Sequence, residues 1–270
     1  MTTQPVALVT GASTGIGKAA ALALVEAGFT VVGTSRDASR LTPPAGITFL
    51  DLDVSRDDSV HALVEQVTAR FGRIDVLVNN AGIGAAGAVE EMSVEQHRRV
   101  LDVNVLGVIR MSKAVLPLLR AQGVGRIINV SSVLGLVPQP FMAAYVASKH
   151  AVEGFSESLD HEVREHGVRV VLVEPAYTST GFESNAVIAE DPQPVYAPRR
   201  AVFDEVIGDA VKGGDAPTVV ARTIVAAATD PKPKLRYTAG TRAGRVSTLR
   251  RIAPARLFDG QIRKLNKMAG

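Results

Sequence analysis

The chain has 270 residues, 46% of them hydrophobic and 21% charged, which is long for one average domain yet ordinary for a single α/β domain carrying appended elements. It contains no cysteine, so disulfides, thiolate metal sites and a cysteine nucleophile are excluded, and aromatic residues at 4% are too few for a surface that stacks on nucleic-acid bases. The formal charge of +3 conceals an asymmetry: residues 231–270 hold 11 Lys or Arg against the single acid Asp259, whereas the rest holds 19 basic and 26 acidic residues.

The opening Met-Thr-Thr-Gln-Pro has no basic segment followed by an apolar core, so no secretory leader is expected, and no uninterrupted apolar run reaches the ~18 residues of a spanning helix. Together with the lack of cysteine this predicts a cytoplasmic protein without a transmembrane anchor. Val6 to Thr10 reads as a buried strand, and Gly11-Ala12-Ser13-Thr14-Gly15-Ile16-Gly17 leads into an alanine-rich helical pattern reaching about Ala27. Such a turn presents backbone N–H groups and the positive end of a helix dipole to a phosphate, and the missing side chains permit close approach. The spacing of Gly11, Gly15 and Gly17 is not G-x-G-x-x-G, and glycines that only make a tight turn remain an alternative.

Phe29 to Ser35 is the next strand, followed by Arg36 and Asp37. In a dinucleotide fold the end of this strand meets the adenosine ribose, where an acid favours a free 2′-hydroxyl and an arginine accommodates a 2′-phosphate. With Ser35 at the acidic position and Arg36 beside it, NADP(H) is favoured over NAD(H), although Asp37 stands close enough to compete and Arg36 also reads as a solvated loop charge. Ile47 to Leu50 reads as a third strand. Asp53 and Val54 then precede a helix over 56–71, where an Asp also suits a turn or helix cap.

Ile74 to Val78 is a short apolar strand ending in the glycine-rich turn from Asn79 to Gly87, with Asn79 placed to lock the sheet. Residues 94–120 have long helical character, contain Asn104, and are weakened near the end by Pro117. Arg126 to Val130 forms a strand delivering Ser131 and Ser132. The prolines at 138 and 140 separate Ser132 from the following helix, in which Tyr145 and Lys149 stand at i and i+4 on one face. A free tyrosine titrates near ~10, and a neighbouring cation stabilises its phenolate, which makes Tyr145 a candidate acid/base. Alone, the pair also reads as a lysine snorkelling over a ring.

Val168 to Val173 is another nearly apolar strand, as expected of a parallel sheet buried on both faces. Pro175-Ala176-Tyr177-Thr178-Ser179-Thr180 follows. Residues 181–216, with Pro192, Pro194, Pro198 and Gly213-Gly214, read as an irregular substrate lid. A helix from Pro217 to Thr229 and a strand at Leu235 to Tyr237 complete the body at about residue 240. The basic segment 241–270 reads as two short amphipathic helices divided by Pro254, expected to dock on the same domain in preference to a subunit contact or an anionic membrane surface. His161 and His166 are five apart and do not form the i,i+4 pair of a zinc helix, so no metal site is expected.

Thr10-Gly11-x-x-x-Gly15-Ile16-Gly17, Asn79-Asn80-Ala81-Gly82, Asn104, Ser132 and Tyr145-x-x-x-Lys149 occur in the order of the short-chain dehydrogenase/reductase family, which the chain resembles from about Pro5 to Thr180. The resemblance implies a doubly wound Rossmann-like domain with a mostly parallel sheet and a homodimer or homotetramer. It implies cofactor contacts from Gly11, Ser13, Thr14, Gly15, Ile16 and Gly17, from Ser35 and Arg36, and from Asp53 and Val54 at the adenine. It adds Asn80, Ala81 and Gly82 near the ribose, and Pro175, Ala176, Tyr177, Thr178 and Thr180 beside the nicotinamide, with Ala176 replacing the family's glycine. Tyr145 and Lys149 would serve both cofactor and chemistry, Ser132 would polarise a carbonyl, and Asn104 would hold a water linking the lysine to solvent. Thr14 departs from the family's basic variant, which carries Arg or Lys inside the glycine loop. The tail resembles the 17β-hydroxysteroid and retinol dehydrogenase-like branch, which implies an apolar alcohol or ketone as the small-molecule substrate. A non-enzymatic NADP(H)-binding sensor and an epimerase or dehydratase of a related extended family are the rival readings.

Overall fold

The computed structural model describes residues 4–268. Seven parallel strands form the central sheet: β1 (Val6–Val9), β2 (Thr30–Ser35), β3 (Ile47–Asp51), β4 (Val76–Asn79), β6 (Gly125–Val130), β7 (Val168–Pro175) and β9 (Arg236–Ala239), in the order β3-β2-β1-β4-β6-β7-β9. Two-residue strands β5 (Ala85–Ala86) and β8 (Val187–Ile188) make a separate parallel pair. All four residues of β1 and of β4 are buried, which accounts for their apolar runs: helices cover both faces and leave no solvent side.

On one face lie α1 (Gly15–Glu26) and α7 (Pro217–Thr229), whose Leu24, Val220 and Ile224 pack on Ala7, Val31 and Val171. The other carries α2 (Asp57–Phe71), α4 (Gly107–Gln122) and α5 (Ala143–Val163), with Leu63, Met111, Leu119 and Leu159 against Leu8, Leu77 and Ile127. Each such side chain contributes roughly 1.5–3 kcal/mol of transfer free energy. The chain reverses direction across the sheet between β1 and β4, so the strand ends diverge there and open a crevice.

Buried asparagines fix the sheet. Asn79 and Asn129 are register partners, and Asn79 Nδ2 donates to Asn129 Oδ1 at 2.9 Å while Asn129 Nδ2 donates to Ser156 Oγ at 2.8 Å, tying β4, β6 and α5 together. Asn79 therefore has the locking role expected of it.

Two segments differ from expectation. The 94–120 helix is α3 (Val94–Leu101), a π-helical turn over Asp102–Leu106, and α4, which runs through Pro117 to Gln122. Proline deletes one hydrogen bond, but Val115 and Leu119 are wholly buried on either side of it, and that packing outweighs the loss. The 181–216 stretch is not mainly irregular: it contains α6 (Ala197–Lys212), and Pro198 lies in its first turn, where a proline has no intrahelical N–H to lose. The tail forms α8 (Thr241–Ile252) and α9 (Ala255–Leu265), split at Pro254. Phe258 is buried in the cluster that contains Tyr145, and Gln139 Nε2 donates to Asn266 Oδ1 at 2.5 Å.

Candidate active site

A cavity of about 700 Å³ runs from the glycine loop across the ends of β1, β4 and β6 to the loop after β7. The residues expected to bind the dinucleotide line it: Gly11, Ser13, Thr14, Gly15, Ile16 and Gly17, then Ser35, Arg36, Asp53 and Val54, then Asn80, Ala81 and Gly82, and finally Pro175, Ala176, Tyr177, Thr178 and Thr180.

The loop has no room for side chains at its key positions. Gly11 adopts φ +64°, and a Cβ on Gly17 would stand 2.2 Å from Gly11 O and 2.5 Å from Asn80 Nδ2. Asn80 uses both amide hydrogens on this loop, donating to Thr10 O at 2.9 Å and Gly11 O at 3.1 Å, so its amide holds the loop. Thr10 Oγ1 accepts from the N–H groups of Asn80 and Ala81, each at 3.0 Å. The loop is thus built before any ligand arrives, with the α1 N-terminus aimed into the cavity, and Thr180 faces Gly15.

At the end of β2, Arg36 lines the cavity. Its acidic rival does not: Asp37 is occupied by its own turn, accepting from Ser39 Oγ at 2.6 Å and pairing with Arg40 Nε at 2.6 Å. Asp53 accepts from Ser55 N at 2.9 Å and Ser55 Oγ at 2.6 Å, so its carboxylate makes the turn that the sequence also allowed, while the residue still borders the cavity.

Ser132, Tyr145 and Lys149 meet on the cavity wall, each 8% exposed. Ser132 sits just past β6, where its Oγ accepts from Leu134 N at 3.1 Å and is close enough to act on the Tyr145 phenol. Lys149 Nζ lies 5.6 Å from the Tyr145 ring centroid and donates to Val130 O at 2.8 Å.

The electrostatics correct one expectation. Lys149 was to pull the phenol down, but burial pushes Tyr145 above its ordinary value, opposed by the Ser132 hydroxyl and reinforced by Tyr177 and Glu183. The lysine itself is pulled down to about 8 by desolvation, which Glu153 partly offsets. Burial is the largest cause of both shifts.

Asn104 is 1% exposed within the π turn. Its Nδ2 donates to Ile83 O at 2.9 Å and Ser148 Oγ at 3.1 Å, and its Oδ1 accepts from Ile83 N at 2.9 Å. Both amide hydrogens are committed, so the side chain clamps the 81–83 loop to α5.

The sequence reading passed over Glu153, Glu174 and Arg236. Arg236 Nη2 lies 3.0 Å from Glu153 and its Nε 3.0 Å from Glu174. The signal was a lone acid at the buried end of β7, immediately before Pro175, and another one turn beyond Lys149. His161 and His166 are exposed, and among the described residues no group of three or more His, Asp or Glu is placed to hold a metal.

Residues 5–191 match the family model for short chain dehydrogenase. The chain is 44% identical over 188 residues to the 3-ketodihydrosphingosine reductase of Bacteroides thetaiotaomicron, covering 69% of each protein. Its structure is similar to a short-chain dehydrogenase from Streptomyces avermitilis, at TM-score 0.82 and 34% identity over 99% of this chain and 98% of that one. It is also similar to a short-chain dehydrogenase/reductase from Burkholderia phymatum in complex with NAD, at TM-score 0.78 and 30% identity over 92% of each. With the glycine loop, the Ser132, Tyr145 and Lys149 cluster and the parallel sheet in place, the chain belongs to the short-chain dehydrogenase family and is an NAD(P)-dependent oxidoreductase.

Proposed function

We propose that this enzyme interconverts an alcohol with a ketone or aldehyde on an apolar substrate, using NADP(H), with Tyr145 as the acid/base. The observation that carries this reading is that Ser132, Tyr145 and Lys149 meet on the wall of a cavity that continues to the glycine loop. The residues fit a dinucleotide: the glycines at 11, 15 and 17 let the loop backbone approach a pyrophosphate, and the Tyr177 hydroxyl is buried in the wall without a protein partner. A bound nicotinamide supplies or accepts the hydride.

In the reductive direction Tyr145 holds its proton at neutral pH, because burial keeps the phenol neutral, and donates it to the carbonyl oxygen. Ser132 orients and polarises that oxygen through its hydroxyl. Lys149, held by Val130 O, keeps a positive charge beneath the ring and would stabilise the phenolate left after transfer. In the oxidative direction the same phenolate takes the proton of the alcohol.

NADP(H) is preferred on the strength of Arg36, which faces the cavity while Asp37 is spent on Ser39 and Arg40. The Burkholderia phymatum relative holds NAD, so the choice in this chain falls to these residues at the end of β2. An apolar substrate is supported by the wall opposite the glycine loop, where Ile83, Val133, Leu134, Met142, Phe182 and Phe203 gather. The tail's likeness to the 17β-hydroxysteroid and retinol dehydrogenase-like branch supports the same class, and the Bacteroides relative is named a 3-ketodihydrosphingosine reductase. The segment from Phe182 to α6 contributes Phe203, Asp204 and Ile207 to the wall and would act as the lid.

The test is a panel of apolar ketones, aldehydes and alcohols followed by nicotinamide absorbance with NADPH and again with NADH. Turnover of apolar carbonyls with NADPH preferred supports the reading. Binding of the dinucleotide with no turnover across the panel would favour the sensor.

A further inference from the structure

Three carboxylates converge on the guanidinium of Arg236, and none of the four residues borders the cavity. Glu153 Oε2 accepts from Arg236 Nε at 3.2 Å and Nη2 at 3.0 Å, and Glu157 Oε1 accepts from Nη1 at 2.5 Å. Glu174 Oε1 pairs with Nε at 3.0 Å. Glu157 is half-exposed, but Glu174 is wholly buried and Glu153 5% exposed. Both Glu174 oxygens, and Oε1 of Glu153, are buried without a hydrogen-bond donor.

The neighbouring elements supply little to balance two buried anions. From α5 come Lys149, one turn before Glu153, and Glu157; from α8 comes Arg251, facing Glu174; the loop after β6 adds only the Ser131 hydroxyl beside Glu153. Two carboxylates sharing one guanidinium away from water cannot both ionise at ordinary cost, and the usual outcome is a shared proton. Burial first, and Glu153 second, push Glu174 up to about 7, with Arg236 and Arg251 opposing.

We propose that Glu153 and Glu174 hold one proton between them, and that the single negative charge they keep beneath Lys149 is what maintains its ammonium in an apolar wall. Glu174 is the acid, because neither of its oxygens receives a hydrogen bond. Glu153 is the carboxylate, because it takes two hydrogen bonds from Arg236 and stands one helical turn from Lys149. Glu153 is thus a positioning residue that acts through the lysine. The inference rests on the proposed role of Lys149 for its kinetic consequence alone.

Two readouts test it. Glu174 has a folded-state affinity for protons above that implied by the usual 4.5, so its contribution to stability is full below that value and is lost as pH rises to about 7. Thermal unfolding from pH 4 to 9 should show the wild type falling relative to Glu174→Gln across this window, since Gln cannot titrate. Parallel curves would overturn the shared proton. Should Glu174→Gln not fold, the carboxyl carbon shift of Glu174 in the wild type carries the same test: an acid-form resonance at pH 6 supports the proposal and a carboxylate resonance there overturns it. In the second readout, Glu153→Gln should move the alkaline limb of reductive turnover down by about one pH unit, with partial recovery in Glu153→Asp. An unmoved limb would overturn the link to Lys149. If Tyr145→Phe keeps its turnover, the active-site reading fails by itself, and the unfolding curves still decide whether the pair holds a proton.

Discussion

Lys149 Nζ donates to the carbonyl of Val130 at 2.8 Å, joining the middle of α5 to the last residue of β6. One hydrogen bond thereby sets the distance between the helix that carries Tyr145 and the strand end that delivers Ser132. Replacing the lysine by methionine keeps the apolar stem and removes the charge. Turnover should fall by about 10²–10⁴-fold, the usual worth of a positioned proton-transfer group. Stability should change by no more than about 2 kcal/mol, because losing the donor to Val130 O is offset by removing a buried charge. Steady-state kinetics and thermal unfolding of Lys149→Met check both.

Reductive turnover should decline as pH rises through about 8, where burial places the Lys149 titration. Below that value the ammonium is present and Tyr145 keeps its proton. Above it the positive charge beneath the ring is lost first, because the phenol titrates higher still. A pH–rate profile at saturating substrate reads this directly.

Arg36 should distinguish the two dinucleotides. A charge-assisted hydrogen bond to a phosphate contributes about 1.5–3 kcal/mol, so Arg36→Ala should weaken NADPH about 10- to 100-fold while leaving NADH nearly unchanged. Binding titrations with both cofactors provide the measurement.

Two glycines should respond in opposite ways to alanine. At Gly17 the new Cβ would meet Gly11 O at 2.2 Å, so Gly17→Ala should displace the loop, cost about 1–3 kcal/mol and abolish dinucleotide binding. In α5, Gly154 has open space where a Cβ would go, and Gly154→Ala should stabilise the enzyme by roughly 0.5–1 kcal/mol with activity intact. Thermal unfolding of the two variants makes the comparison.

Much of this site was readable because its chemistry needs particular residues close together in sequence. Tyr145 and Lys149 are one helical turn apart, and the glycine loop is contiguous. The strands were legible because parallel strands covered on both faces must be apolar throughout, as β1 and β4 are. What escaped depended on partners far along the chain. Arg236 meets Glu153 and Glu174 only after β9 has joined the sheet beside β7, so its charge looked like part of the basic tail. Pro198, one of the prolines that made 181–216 look irregular, opens α6, since a proline's effect depends on which turn of the helix it occupies. The sense of the Tyr145 shift was also hidden, because spacing reveals the nearby cation and says nothing of how deeply both groups are buried.

The account centres on the Tyr145 hydroxyl as the group that exchanges a proton with the substrate oxygen. Tyr145→Phe deletes that one oxygen and leaves the ring, Lys149 and Ser132 in place. Turnover of the best carbonyl substrate should disappear while NADPH binds with nearly wild-type affinity. Substantial remaining turnover, with the cofactor bound normally, would contradict the role given to Tyr145.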